Sequence, residues 1–358
     1  MKKSPFTEKA AREAKRLIDT DTTVIVGLSG GADSVALLDL LVSLGYRCVA
    51  THCNFHLRGD ESYRDEEVAE SHAGRLGAEF IKVDFDVPAR QKATGESVEM
   101  ACRALRYEWW ESLRQRLGNA VIAVAHHRDD NIETFFLNLM RGSGIAGLKG
   151  MQPRTGYVVR PMLGCTRQEI EEYCTERNLH YIVDSTNLEN DYRRNRLRNI
   201  IIPEIERQFP GAVEGIARSI GCLGGNYEFY RDCVTGAVEK YMSPDGSIDV
   251  AAIIDREPHQ RMVLFEILSP LGLNMTHVDN ILNCSSRSGL TFGGYILDRG
   301  ILRPASSETA EERVVSLTDD PEFKVTVSPR CDFSPTRDPM TIYLDEKVLD
   351  GDPVFTVR

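Results

Sequence analysis

Four short runs rich in β-branched residues, Thr23–Val26, Arg47–His52, Phe80–Asp84 and Val121–Ala125, are spaced widely enough for a helix to fit between each pair. Antiparallel neighbours need only a tight turn, whereas parallel neighbours need a crossover of a dozen residues or more. The spacing therefore predicts a parallel sheet with helices packed on its faces. The predicted crossover helices are Asp33–Leu44, Glu61–Leu76, Ser97–Leu117 and Asp129–Met140, and Tyr157–Arg160 is a weaker fifth strand. Past Ile201-Ile202-Pro203 the pattern turns helix-rich through about Leu282, with Gly224-Gly225 as an expected soft spot. Gly293 to Leu302 reads as a hairpin, the acidic stretch Ser306–Asp320 as a loop, and Pro353–Arg358 as a terminal strand. The expected organisation is an α/β catalytic domain over 1–205, a smaller helix-rich domain over 206–300, and the start of a further domain over 301–358 that is cut short.

Within this frame, the stretch V-I-V-G-L-S-G-G-A-D-S (Val24–Ser34) carries a strand through a glycine-rich loop into a helix. That places unpaired amides and the positive end of a helix dipole at the carboxyl edge of the sheet, a natural phosphate site. Glycine lets the backbone approach phosphate oxygens, and Ser29 and Ser34 add hydroxyl donors. No Gly-Lys-Ser/Thr follows, so the loop is not of the Walker type. A second cluster, Gly142-Ser-Gly-Ile-Ala-Gly147, matches G-x-G-x-x-G by letter. It follows a predicted helix rather than a strand, which excludes a dinucleotide fingerprint.

Charge and cysteine usage narrow the partners. The net charge of −11 is uneven: residues 1–200 carry 28 Lys and Arg against 29 Asp and Glu, and residues 201–358 carry 15 against 25. Any RNA must therefore be held by focal basic sites. The nine cysteines form no C-x-x-C pair, which argues for reduced thiols and against a four-cysteine metal site. No apolar run approaches a membrane span and the first residues lack a signal-peptide core, so the expected location is the cytoplasm, without a membrane partner.

The chemistry-bearing cluster is A-H-H-R-D-D-N-I-E-T (Ala125–Thr134), at the end of the fourth predicted strand and the start of a helix. Asp130 and Glu133 lie three apart on one helix face, a pair able to grip an ammonium or Mg²⁺. His126 and His127 are placed to donate to a phosphate or shuttle a proton. The plain alternative is that Asp129 or Asp130 only caps the helix, as acids at helix N-termini commonly do. Arg103 and Arg106, three apart on a predicted helix, suit phosphates or an RNA backbone, or else a solvated face. The densest basic run is Arg193, Arg194, Arg196 and Arg198; its plain alternative is a charged linker helix.

The S-G-G-x-D-S loop resembles that of the N-type ATP pyrophosphatases, the PP-loop or adenine nucleotide alpha-hydrolase-like fold. In that family the loop holds the β,γ-pyrophosphate of ATP while an acceptor attacks the α-phosphorus. The resemblance implies ATP bound through Ser29, Gly30, Gly31, Ala32, Asp33 and Ser34, with Mg²⁺ between the phosphates and Asp33. Other segments extend the likeness: C-N-F-H-L-R (Cys53–Arg58), Arg103-x-x-Arg106-Tyr107, A-H-H-R-D-D-N-I-E-T, Arg141–Met151, Arg160-Pro-Met-Leu, and Asp184–Asn187 with the R-N-R-L-R that follows. Together, over about residues 20–205, they resemble the tRNA(Ile)-lysidine synthetases. Asn131 stands where that family often has Gln, and Val183-Asp184 lacks a common aromatic.

The resemblance implies a carbon–nitrogen ligase. The C2 oxygen of the wobble cytidine of the CAU-anticodon isoleucine tRNA is adenylated, and the ε-amine of free L-lysine then displaces AMP. Asp130 and Glu133 would hold and deprotonate that amine, Arg106 would stabilise charge on the AMP phosphate, and His126 would assist proton transfer. Arg103, Arg193, Arg194, Arg196 and Arg198 would contact RNA. The oligomeric state is left open, a homodimer included. The alternatives are another PP-loop tRNA-modifying enzyme such as a thiolation enzyme, a small-molecule amidotransferase-type synthetase, and a non-catalytic nucleotide sensor.

Overall fold

The computed structural model describes residues 4–182, 193–292, 294–305, 313–315 and 325–327. The chain divides into two compact units, Met1–Tyr227 and Glu228–Arg358. The first holds α1 (Pro5–Leu17), β1 (Thr23–Gly27), α2 (Ala32–Ser43), β2 (Cys48–Asn54), α3 (Asp60–Arg75), β3 (Glu79–Asp84), α4 (Val87–Thr94), α5 (Val98–Leu117), β4 (Ala120–Ala123) and α6 (Arg128–Met140). It continues with the single turn α7 (Ile145–Leu148), β5 (Arg154–Thr155), β6 (Val158–Val159), α8 (Arg167–Glu176), α9 (Arg193–Arg196), a π-helical turn over Leu197–Ile201, and α10 (Ile202–Gln208). The long helix α11 (Ala212–Tyr241) contains the division between the units.

The sheet of the first unit runs β3-β2-β1-β4-β6-β5, parallel throughout except for the short β5 at its edge. Period-2 alternation sends neighbouring side chains to opposite faces. Val24, Val26, Val121 and Ala123 join the core beneath α1, α2 and α8, whereas Ile25, Ile122 and Val124 join Trp110 and Leu113 of α5 on the other face. Both faces being covered explains why β1 and β4 read as continuous apolar runs. Burying side chains such as Ile25, Leu37, Leu38 and Met162 contributes about 1.5–3 kcal/mol each.

The four main strands and four crossover helices fall where the spacing predicted them, with ends moved by one or two residues, and the fifth strand shortens to Val158–Val159. The apolar alternation missed α1, whose N-terminus Ser4 caps through its hydroxyl to the Thr7 amide. The glycine pair Gly224-Gly225 lies inside α11, two residues before the division between the units. A Cβ on Gly224 would meet the Gln152 side-chain amide at 3.5 Å, an ordinary contact distance. The G-x-G-x-x-G run follows α6, as its helical context required.

Gly27 is fixed by a neighbour. A Cβ there would lie 2.6 and 2.7 Å from two carbons of the Trp110 ring. That indole cannot swing away freely, since it donates to Thr51 Oγ1 at 2.9 Å and is almost fully buried. Gly27→Ala is therefore expected to destabilise the unit by about 1–3 kcal/mol, the usual range for overpacking. Chemical denaturation of the two proteins checks this, and an unchanged midpoint would refute it.

In the second unit β7 (Ile248–Asp249) leads into α12 (Val250–Arg256), α13 (Gln260–Leu268) and α14 (Met275–Asn283). The strands β8 (Leu290–Phe292), β9 (Tyr295–Asp298) and β10 (Ile301–Pro304) then complete an antiparallel sheet of order β7-β10-β9-β8. The expected hairpin is β9–β10. Its two-residue turn, Arg299 and Gly300, has positive φ at both positions, as a tight hairpin turn requires. Ile253, Leu264, Leu268, Val278, Leu297 and Leu302 form the core. The expected loop Ser306–Asp320 contains β11 (Arg313–Val315), paired with β12 (Val325–Val327), because the β-branched valines favour an extended ladder. Val183–Asn187 and Pro353–Arg358 lie outside the described residues.

Candidate active site

The carboxyl ends of β1, β2 and β4 open into a cavity of about 720 Å³, within the range of small-molecule sites. One wall is the β1–α2 loop, with Leu28, Ser29, Asp33 and Ser34. Gly30 has φ +88° and lies close to the Asp65 carbonyl, so a side chain there would be strained as well as crowded. The serines brace the loop from within. The Ser29 amide donates to Ser34 Oγ at 3.1 Å, and Ser34 Oγ donates to the Gly31 carbonyl at 2.9 Å. The N-cap residue Gly31 offers no side chain to cap α2, which leaves first-turn amides for a ligand oxygen.

The opposite wall comes from the end of β2 and from α5. Cys53, Phe55, Arg103, Arg106, Tyr107 and Trp110 all line the cavity. The Arg106 guanidinium lies 5.2 Å from the Phe55 ring centre, and that of Arg103 lies 4.8 Å from the Tyr107 ring. Burial pushes the Cys53 thiol up to about 12 despite the nearby Arg106, so it stays protonated at neutral pH.

His126, at the end of β4, also lines the cavity. Burial pulls its imidazole down to about 4, and its Nδ1 is buried without a partner. It is therefore neutral at pH 7. The unfolded chain takes up the proton first as pH falls, so stability is lost from the ordinary value of 6.5 down to about 4. Proton NMR of the histidine rings should show no His126 titration between about pH 5.5 and 8; a midpoint near 6.5 would refute its burial in neutral form.

His127 sits at the centre of a charged network. Its Nε2 is 3.4 Å from Asp130 and 3.8 Å from Asp33, and its Nδ1 is 3.4 Å from Asp129. Burial opposes its charge, but the three carboxylates outweigh burial and raise its pKa above the ordinary value. Burial pushes the Asp33 carboxyl above its usual range, with His127 and Arg167 pulling the other way. In Asp130 burial is overcome by His127 and Arg194, and the carboxyl is held low.

The acidic pair and the basic run, two separate candidates in the sequence, meet here. Arg194 Nε donates to Glu133 at 2.7 Å and Arg198 Nε at 2.6 Å. Both guanidiniums also reach Asp130, at 3.3 and 3.1 Å. Glu133 is 1% exposed, the two arginines 39% and 33%. Arg193 and Arg196 face solvent. The π-helical turn that carries Arg198 widens the chain locally, a distortion that often marks functional segments.

Ser29, Asp33, Ser34, Arg103, Arg106 and His126 thus line one cavity. Asp130 is joined to Asp33 through His127, and Glu133 to Asp130 through Arg194 and Arg198. Arg167 was missed by sequence reading. Its guanidinium donates to Asp33 at 2.8 Å. The only local signal was the capping box Thr166–Glu169, which marks a helix start but not its destination.

A parallel sheet, a Walker-less phosphate loop and an aspartate in the first turn of the following helix define an ATP pyrophosphatase of the PP-loop class. The PP-loop domain family matches residues 6–205. The tRNA(Ile)-lysidine synthase of Parabacteroides distasonis is 40% identical over 353 residues, covering 94% of this chain and 80% of the relative. That of Bacteroides thetaiotaomicron is 41% identical over 271 residues, 76% of this chain and 63% of the relative. The chain belongs to the tRNA(Ile)-lysidine synthase family, and it spans about three fifths of the length of some relatives and four fifths of another. Among solved structures, the U34-tRNA thiolase NcsA from Methanococcus maripaludis, with its [4Fe-4S] cluster, superposes with a TM-score of 0.50. At 19% identity, over 61% of this chain and 79% of that one, it shows a shared fold.

Proposed function

We propose that this chain ligates free L-lysine to C2 of the wobble cytidine of the CAU-anticodon isoleucine tRNA, at the expense of ATP. The observation that carries this reading is His127. One imidazole touches both Asp33 of the phosphate loop and Asp130 of the acidic pair, so the nucleotide station and the amine station adjoin.

In the first step the C2 oxygen attacks the α-phosphorus of ATP and pyrophosphate leaves. The free first-turn amides of the loop take up the pyrophosphate charge, and Ser34, whose hydroxyl donates to the Gly31 carbonyl, holds the loop in shape for them. Asp33 Oδ1 is buried and without a partner, which suits one carboxylate contact to an otherwise phosphate- and water-bound Mg²⁺. Such an ion would neutralise phosphate charge. Arg106, on the opposite wall, stabilises the AMP phosphate. In the second step the lysine ε-amine attacks C2 and AMP leaves with the C2 oxygen. The ammonium is first gripped by Asp130 and Glu133, and its proton passes to a carboxylate or to neutral His126. The protonated Cys53 thiol supports ligation over thiolation, which needs a reactive sulfur at the cavity.

Mass analysis of nucleosides from the isoleucine tRNA, after incubation with ATP and lysine, tests the reading. A lysine adduct on cytidine is expected, and its absence from an otherwise ATP-binding protein would overturn it. No helix among the described residues is long and apolar enough to cross a membrane, and a cytoplasmic location is part of the proposal.

RNA contact is proposed for Arg103 and for the basic run, with residues 206–300 adding tRNA surface. Within the run, Arg193 and Arg196 are the solvent-facing pair. Replacing both with Gln should weaken tRNA binding and reduce its log–log salt slope by roughly 1–2 units. ATP affinity should stay the same. Titrations at several salt concentrations check this; an unchanged slope would mean that the tRNA is held elsewhere.

A further inference from the structure

Arg167 opens α8 directly after its N-cap, Thr166, so its backbone amide is one of the helix's unpaired first-turn donors. That amide donates to Asp129 Oδ2 at 2.8 Å. The guanidinium of the same residue donates through Nη1 to Asp33 Oδ2 at 2.8 Å, and its Nε is held by Glu171, one turn further on, at 2.7 Å. One residue thus joins the carboxylates that begin α2 and α6, the two helices that carry the loop aspartate and the acidic pair. With Oδ2 committed to Arg167, the buried and unpartnered Oδ1 is the Asp33 oxygen left for a ligand. The planar fork gives this contact a direction that a point charge would not.

We propose that Arg167 is a positioning residue for the ATP-dependent step: it fixes the Asp33 carboxylate so that Oδ1 faces the nucleotide. The proposal rests on the function given above. It is separable from mere docking of α8, because α8 has its own anchor at the far end. There the Tyr173 hydroxyl donates to buried Asp39 at 2.6 Å, and Arg177 donates to the same carboxylate at 3.0 and 3.2 Å. Arg177→Gln therefore loosens α8 without touching Asp33.

The test uses the full chain and two readouts: calorimetric ATP affinity with Mg²⁺, and pyrophosphate release with tRNA and lysine. Arg167→Gln is expected to weaken ATP binding about 5- to 10-fold and to lower kcat for pyrophosphate release about 30- to 100-fold, a span of roughly 2–3 kcal/mol. Arg177→Gln should stay within about 3-fold of the parent in both, even where its melting temperature falls. Should Arg167→Gln fail to fold, Arg167→Lys keeps the charge, loses the fork, and is expected to show a kcat loss of about 5-fold or more. Parent-like values for the Arg167 variants, or equal losses in Arg177→Gln, overturn the proposal. A parent protein that binds ATP but releases no pyrophosphate would instead overturn the functional reading, and the affinity comparison would still decide the role of Arg167.

Discussion

Asp33→Ala is expected to abolish ATP-dependent pyrophosphate release while the melting temperature holds or rises. The carboxylate lines the cavity at the first turn of α2, where it contacts Arg167 and His127 and packs little apolar surface. Burial pushes its pKa above the ordinary carboxyl value, so the ionised form costs folding free energy. The linkage has a definite sign: a carboxyl whose folded pKa is raised destabilises the native state once pH exceeds the unfolded value. Removing it relieves that cost, whereas loss of a charge that stabilises the transferring phosphates commonly costs about 10²–10³ in rate. Asp33→Asn, which keeps the volume and can still accept from Arg167, should fail nearly as badly. Parent-like pyrophosphate release by either variant would remove Asp33 from the reaction. A fall in melting temperature that accounts for the loss of activity would make the residue structural.

The second large effect concerns Glu133 and the arginines on it. On the proposed function, Glu133→Gln is expected to block lysine addition by about 10²-fold or more, with ATP affinity within about 3-fold, because the role proposed for the group is at the amine and not at the triphosphate. Equal losses in both would place Glu133 among the ATP contacts. Arg194 and Arg198 complicate the picture. Four carboxylates, Asp33, Asp129, Asp130 and Glu133, are matched by three guanidiniums, Arg167, Arg194 and Arg198, and by His127. On the proposed function, an incoming ammonium therefore displaces a guanidinium rather than filling a vacant anionic site. Arg194→Gln should tighten lysine binding, by about tenfold if the displacement costs about 1.4 kcal/mol. Removing Arg194 and Arg198 together leaves Glu133 buried with its charge uncompensated, and should destabilise the unit by about 3–5 kcal/mol. Weaker lysine binding in Arg194→Gln would show that the arginine helps to hold lysine instead of competing with it.

The sequence by itself determined the sheet, its helices and the phosphate loop, because those signals are local. A β-branched run, a glycine turn and an amphipathic period each express what a few neighbouring residues prefer, and β1, β2, β3 and β4 form within one or two residues of their predicted ends. The loop motif and the candidate acids were legible for the same reason, as short patterns at a strand end. What the tertiary structure alone decided is which charges meet. Arg194 and Arg198 lie more than sixty residues from Glu133, and Arg167 lies 134 from Asp33. Nothing in a local pattern distinguishes an arginine that will bind solvent from one that will cover a buried carboxylate. The same holds for Gly27, whose lack of a side chain is required by Trp110 across the sheet. An ion pair or a close packing contact depends on the separation of two backbones that only the assembled sheet brings together, and its strength depends on the burial that assembly creates.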